Sequence, residues 1–155
     1  MLKYVDTKVV FQEVPDEVTL AINISGCPCN CKGCHSSYLA EDIGEPLDLQ
    51  HLTNFIDSNK GITCVCIMGG DAEPDKVNTL ASFITNHYNS IKVAWYSGRQ
   101  ELSKEIDLKN FDFVKLGPYI EELGPLNSKN TNQRFYKIEE NKLIDITNLF
   151  WKDND

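Results

Sequence analysis

The chain has 155 residues, 41% of them hydrophobic, which fits one compact domain over residues 1–155. Fifteen basic residues stand against 23 acidic ones, and the resulting net charge of -8 disfavours nucleic acid as a partner. The sequence lacks an apolar run of about eighteen residues that could span a membrane, and its N-terminus lacks the pattern of a secretory signal. We therefore expect a cytoplasmic protein without a membrane partner.

The first half of the chain predicts two strands, a helix and a buried strand. Residues 8–14 and 18–25 are rich in β-branched side chains and flank a turn at residues 15–17. Residues 48–59 carry apolar side chains at helical spacing. Residues 62–68, ITCVCIM, form a short apolar run before two glycines, which is typical of a central parallel strand buried on both faces.

The second half continues the alternation of helices and strands. The predicted elements are a helix beginning at Pro74, a strand over 91–96, a short helix near 100–105, a strand over 111–116, and a closing hairpin or pair of edge strands over 134–138 and 143–146. This βαβαβ order predicts an α/β fold with a mostly parallel sheet. Because the chain is too short for a complete barrel of about 250 residues, we expect the sheet to stay open on one side.

Four cysteines lie in one short loop after the second predicted strand, in the sequence SGCPCNCKGCHS. In a reducing cytosol such a cluster favours metal binding over disulfides. Cys27, Cys31 and Cys34 form a CxxxCxxC pattern, and Cys29 falls inside its first gap. Three thiolates on a 4Fe-4S cluster leave one iron without a protein ligand, and that iron can bind a small molecule. We interpret Cys29 as a small loop residue.

This loop resembles the signature of the radical S-adenosylmethionine (SAM) superfamily. Two further stretches strengthen the resemblance: MGGD at residues 68–71 is similar to the GGE-type element, and WYSG at residues 95–98 ends a strand where such enzymes line the same ligand. From residue 18 to residue 136 the chain resembles the activating proteins of anaerobic ribonucleoside-triphosphate reductases. These proteins also carry an NQR stretch similar to that at residues 132–134.

The resemblance implies an open, partial βα barrel of the radical SAM type, with a 4Fe-4S cluster bound by the three cysteines of the pattern. The reduced cluster would pass an electron to the sulfonium of SAM, releasing methionine and a 5′-deoxyadenosyl radical. That radical would take a hydrogen atom from a glycine of the large subunit of anaerobic ribonucleotide reductase. The electron would come from a flavodoxin- or ferredoxin-type donor, and the open side of the sheet would admit a loop of the protein substrate.

Five further residues are implied as contacts to SAM. Gly69 and Gly70 let the backbone approach the methionine amino group closely and offer it carbonyl acceptors. His35, directly after the third cysteine of the pattern, would lie near the adenine. Asp71 is interpreted either as a ligand-positioning group or as a cap of the following helix. Ser97 is expected to contact the ligand, although it could merely end a strand.

Several other functions remain open at this stage. Within the superfamily, the protein could activate another glycyl-radical enzyme, as a formate-lyase activator does, or act on a small molecule. From another class, the four loop cysteines could form a zinc site in a binding module. A ferredoxin-like carrier is a further alternative, and its fourth ligand would be Cys29, Cys64 or Cys66.

Four residues outside the loop have simple structural interpretations. Cys64 and Cys66 share one face of a strand and are expected to pack in the core. Lys115 lies within an apolar strand and needs a partner if it is buried. Arg134 is expected to be solvated or ion-paired, and only the family resemblance suggests a function for it.

Overall fold

The computed structural model describes residues 2–26 and 43–151. The loop cysteines and His35 therefore lie outside the described residues. The described helices and strands are, in chain order, β1 Lys3–Val10, β2 Thr19–Ile24, β3 Glu45–Pro46, α1 Leu49–Ser58, β4 Cys64–Met68, α2 Pro74–His87, β5 Lys92–Tyr96, β6 Phe113–Leu116, β7 Arg134–Glu139 and β8 Lys142–Asp145. Short 3₁₀ turns occur at Leu108–Asn110 and Thr147–Phe150.

The eight strands form one mixed sheet in the order β3-β1-β2-β4-β5-β6-β7-β8. The four central strands, β2, β4, β5 and β6, are parallel to one another, as the alternation of elements predicts. The flanking strands pair antiparallel, so the sheet as a whole is mixed rather than mostly parallel. A two-residue turn at 140–141 suffices to join the antiparallel β7 and β8, whereas parallel strands need a long crossover. The partial barrel of the radical SAM type stays a prediction.

The predicted strand over residues 8–14 is misplaced. β1 instead spans Lys3–Val10, where it pairs with β2 on one side and with β3 on the other. Val14 lies outside the strand and is fully buried among apolar side chains on one face of the sheet. The apolar character of residues 8–14 therefore reflects two roles, strand pairing for the first residues and core packing for Val14.

The predicted short helix over residues 100–105 is also wrong, because this segment consists of bends and turns. Six residues cannot offset the cost of nucleating a helix without strong packing. The backbone at the start of the segment is engaged elsewhere, since the Arg99 carbonyl accepts a 2.6 Å hydrogen bond from the Gly117 amide. The helix predicted over 48–59 is confirmed as α1, with the Asp48 carboxylate capping it through the His51 amide at 2.8 Å.

Apolar side chains cover both faces of the sheet. On one face the two helices bury a large cluster that includes Leu52, Ile56, Val77, Leu80 and Ile84. The opposite face carries a smaller cluster without a helix, formed by Val14, Cys64, Cys66, Ala94, Phe113, Leu126 and Phe135. Neither α1 nor α2, the helices of the described ranges, is long and apolar enough to cross a bilayer.

Candidate functional site

The carboxyl ends of the four parallel strands lie side by side. Asn23 at the end of β2 pairs with Met68 in β4, Met68 pairs with Tyr96 in β5, and Tyr96 pairs with Lys115 in β6. The residues that follow these strands therefore share one edge of the sheet. We call this edge, formed by residues 25–26, 69–71, 97–98 and 117, the carboxyl edge. Ligands of open α/β sheets bind at this end of the strands.

The cysteine loop starts and ends at the carboxyl edge. Ser25, directly after β2, donates its hydroxyl to the carbonyl of Ile43, the first described residue beyond the loop. The amide of Ser25 also donates to the Lys3 carbonyl at 3.0 Å. The two ends of the loop are thus joined next to β2. The predicted metal ligands Cys27, Cys31 and Cys34 belong to this loop and lie outside the described residues, so their role stays a prediction, as does that of His35.

Gly69 and Gly70 follow β4 and adopt conformations that favour glycine, with φ of +116° and +93°. A Cβ on Gly69 would lie 3.1 Å from the Ile24 carbonyl oxygen, and one on Gly70 would lie 2.5 Å from a methyl carbon of Val77. The backbone of Gly69 therefore packs against the end of β2, directly before the cysteine loop. The indole N–H of Trp95 donates to the Gly69 carbonyl at 2.6 Å.

Asp71 is buried, with 6% of its surface exposed, and its carboxylate binds the segment after β5. One oxygen accepts from the Ser97 hydroxyl at 2.5 Å, and the other accepts from the Gly98 amide at 2.8 Å. Helix α2 begins after Glu73, which is its N-cap residue. Asp71 therefore does not cap the helix, and of its two sequence-based interpretations only the ligand-positioning one stays a prediction.

Ser97 and Lys115 link the ends of β5 and β6. The Lys115 ammonium donates to the carbonyl oxygens of Ser97 at 2.9 Å and of Gly117 at 3.1 Å. It also lies 5.5 Å from the centre of the Tyr96 ring, where a cation is attracted to the π-system. The prediction that a buried Lys115 needs partners is confirmed. The Ser97 side chain is 1% exposed and is directed at Asp71, so its contact with a ligand stays a prediction.

The NQR stretch supports the segment that follows β6. The Asn132 side-chain amide donates to the Pro118 carbonyl at 3.1 Å, and the Gln133 side-chain amide lies 3.5 Å from the Gly117 carbonyl. Arg134 lies 3.7 Å from the Asp145 carboxylate, which confirms the expected ion pair. Sequence reasoning missed the structural role of Asn132 and Gln133, although the glycine and proline after β6 already indicated a turn that needs partners.

The cysteines of β4 are core residues, as predicted. Cys64 and Cys66 are fully buried and lie as free thiols on the face of the sheet opposite the helices. Burial raises the pKa of Cys64 to about 12 and that of Cys66 well above its usual value, which opposes the thiolate form that a metal ligand requires. Among residues 2–26 and 43–151, moreover, no three His, Cys, Asp or Glu side chains are grouped to hold a metal.

A family model described as a 4Fe-4S single cluster domain matches residues 17–139 of this chain. The chain belongs to this 4Fe-4S single cluster domain family. The matched range covers most of the chain and contains all six cysteines, so the protein is an iron-sulfur protein with the cofactor expected from its cysteine pattern. Searches of curated proteins and of solved structures found no match. Membership of the 4Fe-4S family favours an iron-sulfur cluster over the zinc site.

Proposed function

We propose that this 4Fe-4S protein is a radical SAM activating enzyme. It cleaves SAM reductively and generates a glycyl radical on the large subunit of anaerobic ribonucleotide reductase. The observation that carries this proposal is the juxtaposition at the carboxyl edge, where the loop with the CxxxCxxC pattern starts beside the Gly69–Gly70 backbone. A cluster with an open iron and a close backbone acceptor are the two features that binding of SAM through its methionine end requires.

The residues present fit a 4Fe-4S cluster with one open iron. Cys27, Cys31 and Cys34 are the three thiolates that would hold it. Cys64 and Cys66 are fully buried in the apolar cluster on the face opposite the helices, which disfavours either of them as a fourth ligand. When bound, the cluster supplies an electron to the sulfonium of SAM. This argument also disfavours the ferredoxin-like carrier, for which Cys29 alone would remain as a fourth ligand.

The carboxyl edge supplies the groups that bind and orient SAM. The carbonyl oxygens of Gly69 and Gly70 accept hydrogen bonds from the ammonium group of the methionine moiety, and a glycine backbone leaves room for that approach. A carbonyl oxygen has two lone pairs, so Gly69 can accept from Trp95 and from the ligand at once. Asp71 holds the Ser97 segment beside this backbone, and His35 binds near the adenine.

A protein substrate fits the open form of the sheet. Within the described residues the sheet runs between two edge strands, β3 and β8, instead of closing on itself. A loop of the reductase that carries the reacting glycine can reach an open sheet, whereas small-molecule enzymes generally enclose most of their ligand. The net charge of -8 predicts a complementary basic surface on the reductase. The flavodoxin- or ferredoxin-type electron donor and the cytoplasmic location belong to this same proposal.

The test is anaerobic reconstitution with iron and sulfide, followed by incubation with reductant, SAM and the large reductase subunit. We expect 5′-deoxyadenosine in the products and a glycyl radical on the reductase in the electron paramagnetic resonance spectrum. Cys27→Ser should abolish both signals, and Cys29→Ser is the matched control that should retain them.

Cleavage of SAM without a radical on the reductase would contradict the assigned partner, and a parallel incubation with a formate-lyase-type enzyme would then test the other activator class. Absence of SAM cleavage would contradict the radical SAM assignment itself.

A further inference from the structure

Residues 69–71 are held from β5 and the residues that follow it. The backbone contributes one hydrogen bond, from the Gly69 amide to the Tyr96 carbonyl at 3.1 Å. Three shorter hydrogen bonds involve side chains. The indole N–H of Trp95 donates to the Gly69 carbonyl at 2.6 Å. The Asp71 carboxylate accepts from the Ser97 hydroxyl at 2.5 Å and from the Gly98 backbone amide at 2.8 Å. The Gly70 carbonyl also accepts from the Glu73 amide at 3.0 Å, at the start of α2. On the β5 side, the side chains of Trp95 and Ser97 position the glycine backbone.

We propose that Trp95 and Ser97 are positioning residues that fix the segment 69–71 for SAM before cluster or SAM is bound. The inference rests on the proposed function, and it gives Ser97 a role through Asp71 in place of the direct ligand contact expected from sequence. Trp95 acts on the Gly69 carbonyl, and Ser97 acts on the carboxylate two residues later.

The Trp95 ring is well placed to fix a glycine peptide. It is 1% exposed and packs 6.3 Å from the Phe111 ring, so its position is set by the core. Glycine is the most flexible residue, and two consecutive glycines at positive φ lose much conformational entropy when they are ordered. The hydrogen bond from Trp95 offsets that cost in the free protein, so SAM binds a backbone that is already ordered.

Ser97 is held on two sides, which makes its hydroxyl a fixed donor. Its carbonyl accepts from the buried Lys115 ammonium, and its hydroxyl donates to Asp71 while accepting from the Arg99 amide at 3.1 Å. Removing the Ser97 hydroxyl takes away one of the two hydrogen-bond donors to Asp71 described above. Because the Asp71 carboxylate is mostly buried, the loss of this donor lowers the free energy of unfolding. The cost can be lowered if Asp71 moves towards solvent, and Gly69 and Gly70 would then move with it.

The chain offers a matched control for each variant. Trp95→Phe removes an indole donor from a backbone carbonyl, and Trp151→Phe does the same at Leu126, where the distance is 2.9 Å. Ser97→Ala removes a buried hydroxyl that donates to a carboxylate, and Thr147→Val removes another, which donates to Asp145 at 2.6 Å and accepts from the Phe135 amide at 2.7 Å. Each control deletes the same kind of hydrogen bond away from the carboxyl edge.

The first measurement uses the full chain without cluster or SAM. Hydrogen exchange followed by mass spectrometry should show roughly five-fold to ten-fold faster exchange at residues 69–73 in Trp95→Phe and Ser97→Ala, since one hydrogen bond is worth about 1 kcal/mol. The two control variants should leave exchange there unchanged and accelerate it instead near residues 126–135 and 145–147. Equal exchange at residues 69–73 in wild type and both test variants overturns the inference.

The second measurement uses the reconstituted protein and follows the change in the cluster spectrum when SAM is added. Trp95→Phe and Ser97→Ala should weaken SAM binding roughly five-fold to ten-fold with unchanged iron content and with kcat at saturating SAM within about two-fold of wild type.

If wild type binds SAM and both variants bind it equally well, the inference fails and the proposed function stands. If wild type binds no SAM, both fail. If Ser97→Ala weakens binding without faster exchange at residues 69–73, Ser97 touches SAM directly and its positioning role is wrong. Should Trp95→Phe fail to fold, Ser97→Ala decides alone.

Discussion

The two ends of the parallel strands are both tied together by polar side chains, but in different ways. At the amino ends, the Glu17 carboxylate accepts from the Lys92 ammonium at 2.8 Å and from the Thr63 hydroxyl at 2.6 Å. The Lys92 side chain is 52% exposed, so water and salt compete for this ion pair. At the carboxyl ends, Lys115 is only 7% exposed, and its ammonium donates to the carbonyls of Ser97 and Gly117.

The two ends of the strands differ in the free-energy cost of burying their charged groups. At the amino ends the Lys92 cation stays in solvent, although the Glu17 side chain is only 10% exposed and Asp16 before it adopts a φ of +65°. At the carboxyl ends both the Lys115 cation and the Asp71 carboxylate are buried, and burial of a charged group lowers stability unless hydrogen bonds compensate for it. This cost separates the carboxyl edge, where we propose that SAM binds, from the amino ends.

The largest contrast is expected between cysteines of the loop and of β4. Cys31→Ser should abolish binding of the 4Fe-4S cluster and with it SAM cleavage, because two remaining thiolates of the pattern cannot hold the cubane. Cys64→Ala changes a buried thiol in the core, so it should retain the cluster and lower the free energy of unfolding by about 1 kcal/mol. Iron and sulfide content together with urea denaturation measure both effects. Full iron content in Cys31→Ser would show that the ligand set is misassigned.

Gly61 and Gly70 lie before and after β4 and have the same φ of +93°, so they allow a direct comparison of the two ends of the strand. Gly70→Ala should lower the free energy of unfolding by roughly 2–5 kcal/mol, because the new Cβ is strained at this φ and lies 2.5 Å from Val77, a stiff β-branched residue in α2. Gly61→Ala places its Cβ in open space, so the cost should be only about 1–2 kcal/mol from φ alone. Urea denaturation gives both values. Equal losses would mean that the carboxyl edge is not closely packed at Gly70.

The two lysines give a third contrast. Lys115→Met should lower the free energy of unfolding by roughly 1.5–3 kcal/mol, since it removes a charged donor from the buried carbonyls of Ser97 and Gly117. Lys92→Met removes an exposed cation from Glu17, whose carboxylate keeps the Thr63 hydroxyl as a donor, and should cost about 0–1 kcal/mol. Repeating the denaturation in 1 M salt, where screening reaches about 3 Å, should shrink the Lys92 effect and leave the Lys115 effect in place. A strongly salt-dependent Lys115 effect would contradict its burial.

The sequence predicted those parts of the fold that depend on local pattern. The apolar run before Gly69 identified β4, and the spacing after Asp48 identified α1 together with its cap. β3 could not be predicted, because its two residues form a strand only through pairing with Lys3 and Tyr4, about forty residues earlier in the chain.

The candidate site divides in the same way. The positions of Gly69, Gly70, Asp71 and Ser97 at the ends of parallel strands followed from the alternation of elements. Their partners did not, because the hydrogen bonds from Trp95 to Gly69 and from Ser97 to Asp71 each join residues 26 positions apart. Such contacts depend on strand register and on the rotamers of packed side chains, which a linear pattern does not specify.

The last predicted effect appears only at high pH and concerns the interior of β4, between the two ends of the strand. Burial raises the pKa of Cys64 from an ordinary 9.0 to about 12, so the folded protein keeps this thiol neutral where an unfolded chain would ionise it. The stability that Cys64 contributes is therefore complete below pH 9 and is lost as the pH rises from about 9 towards 12. Cys66 shifts in the same direction and adds to the effect.

This loss should be visible in a comparison of wild type with the Cys64→Ala, Cys66→Ala double variant. Above the ordinary pKa, each shifted thiol lowers the free energy of unfolding of wild type by up to about 1.4 kcal/mol per pH unit. Most other titrating groups are common to both proteins, so the difference in unfolding free energy between wild type and variant should be nearly constant up to about pH 8 and should fall as the pH rises through 9 to about 10. A difference that stays constant across this range would mean that water reaches these thiols in the folded state, and the face of the sheet opposite the helices would then be a hydrated surface instead of a second core layer.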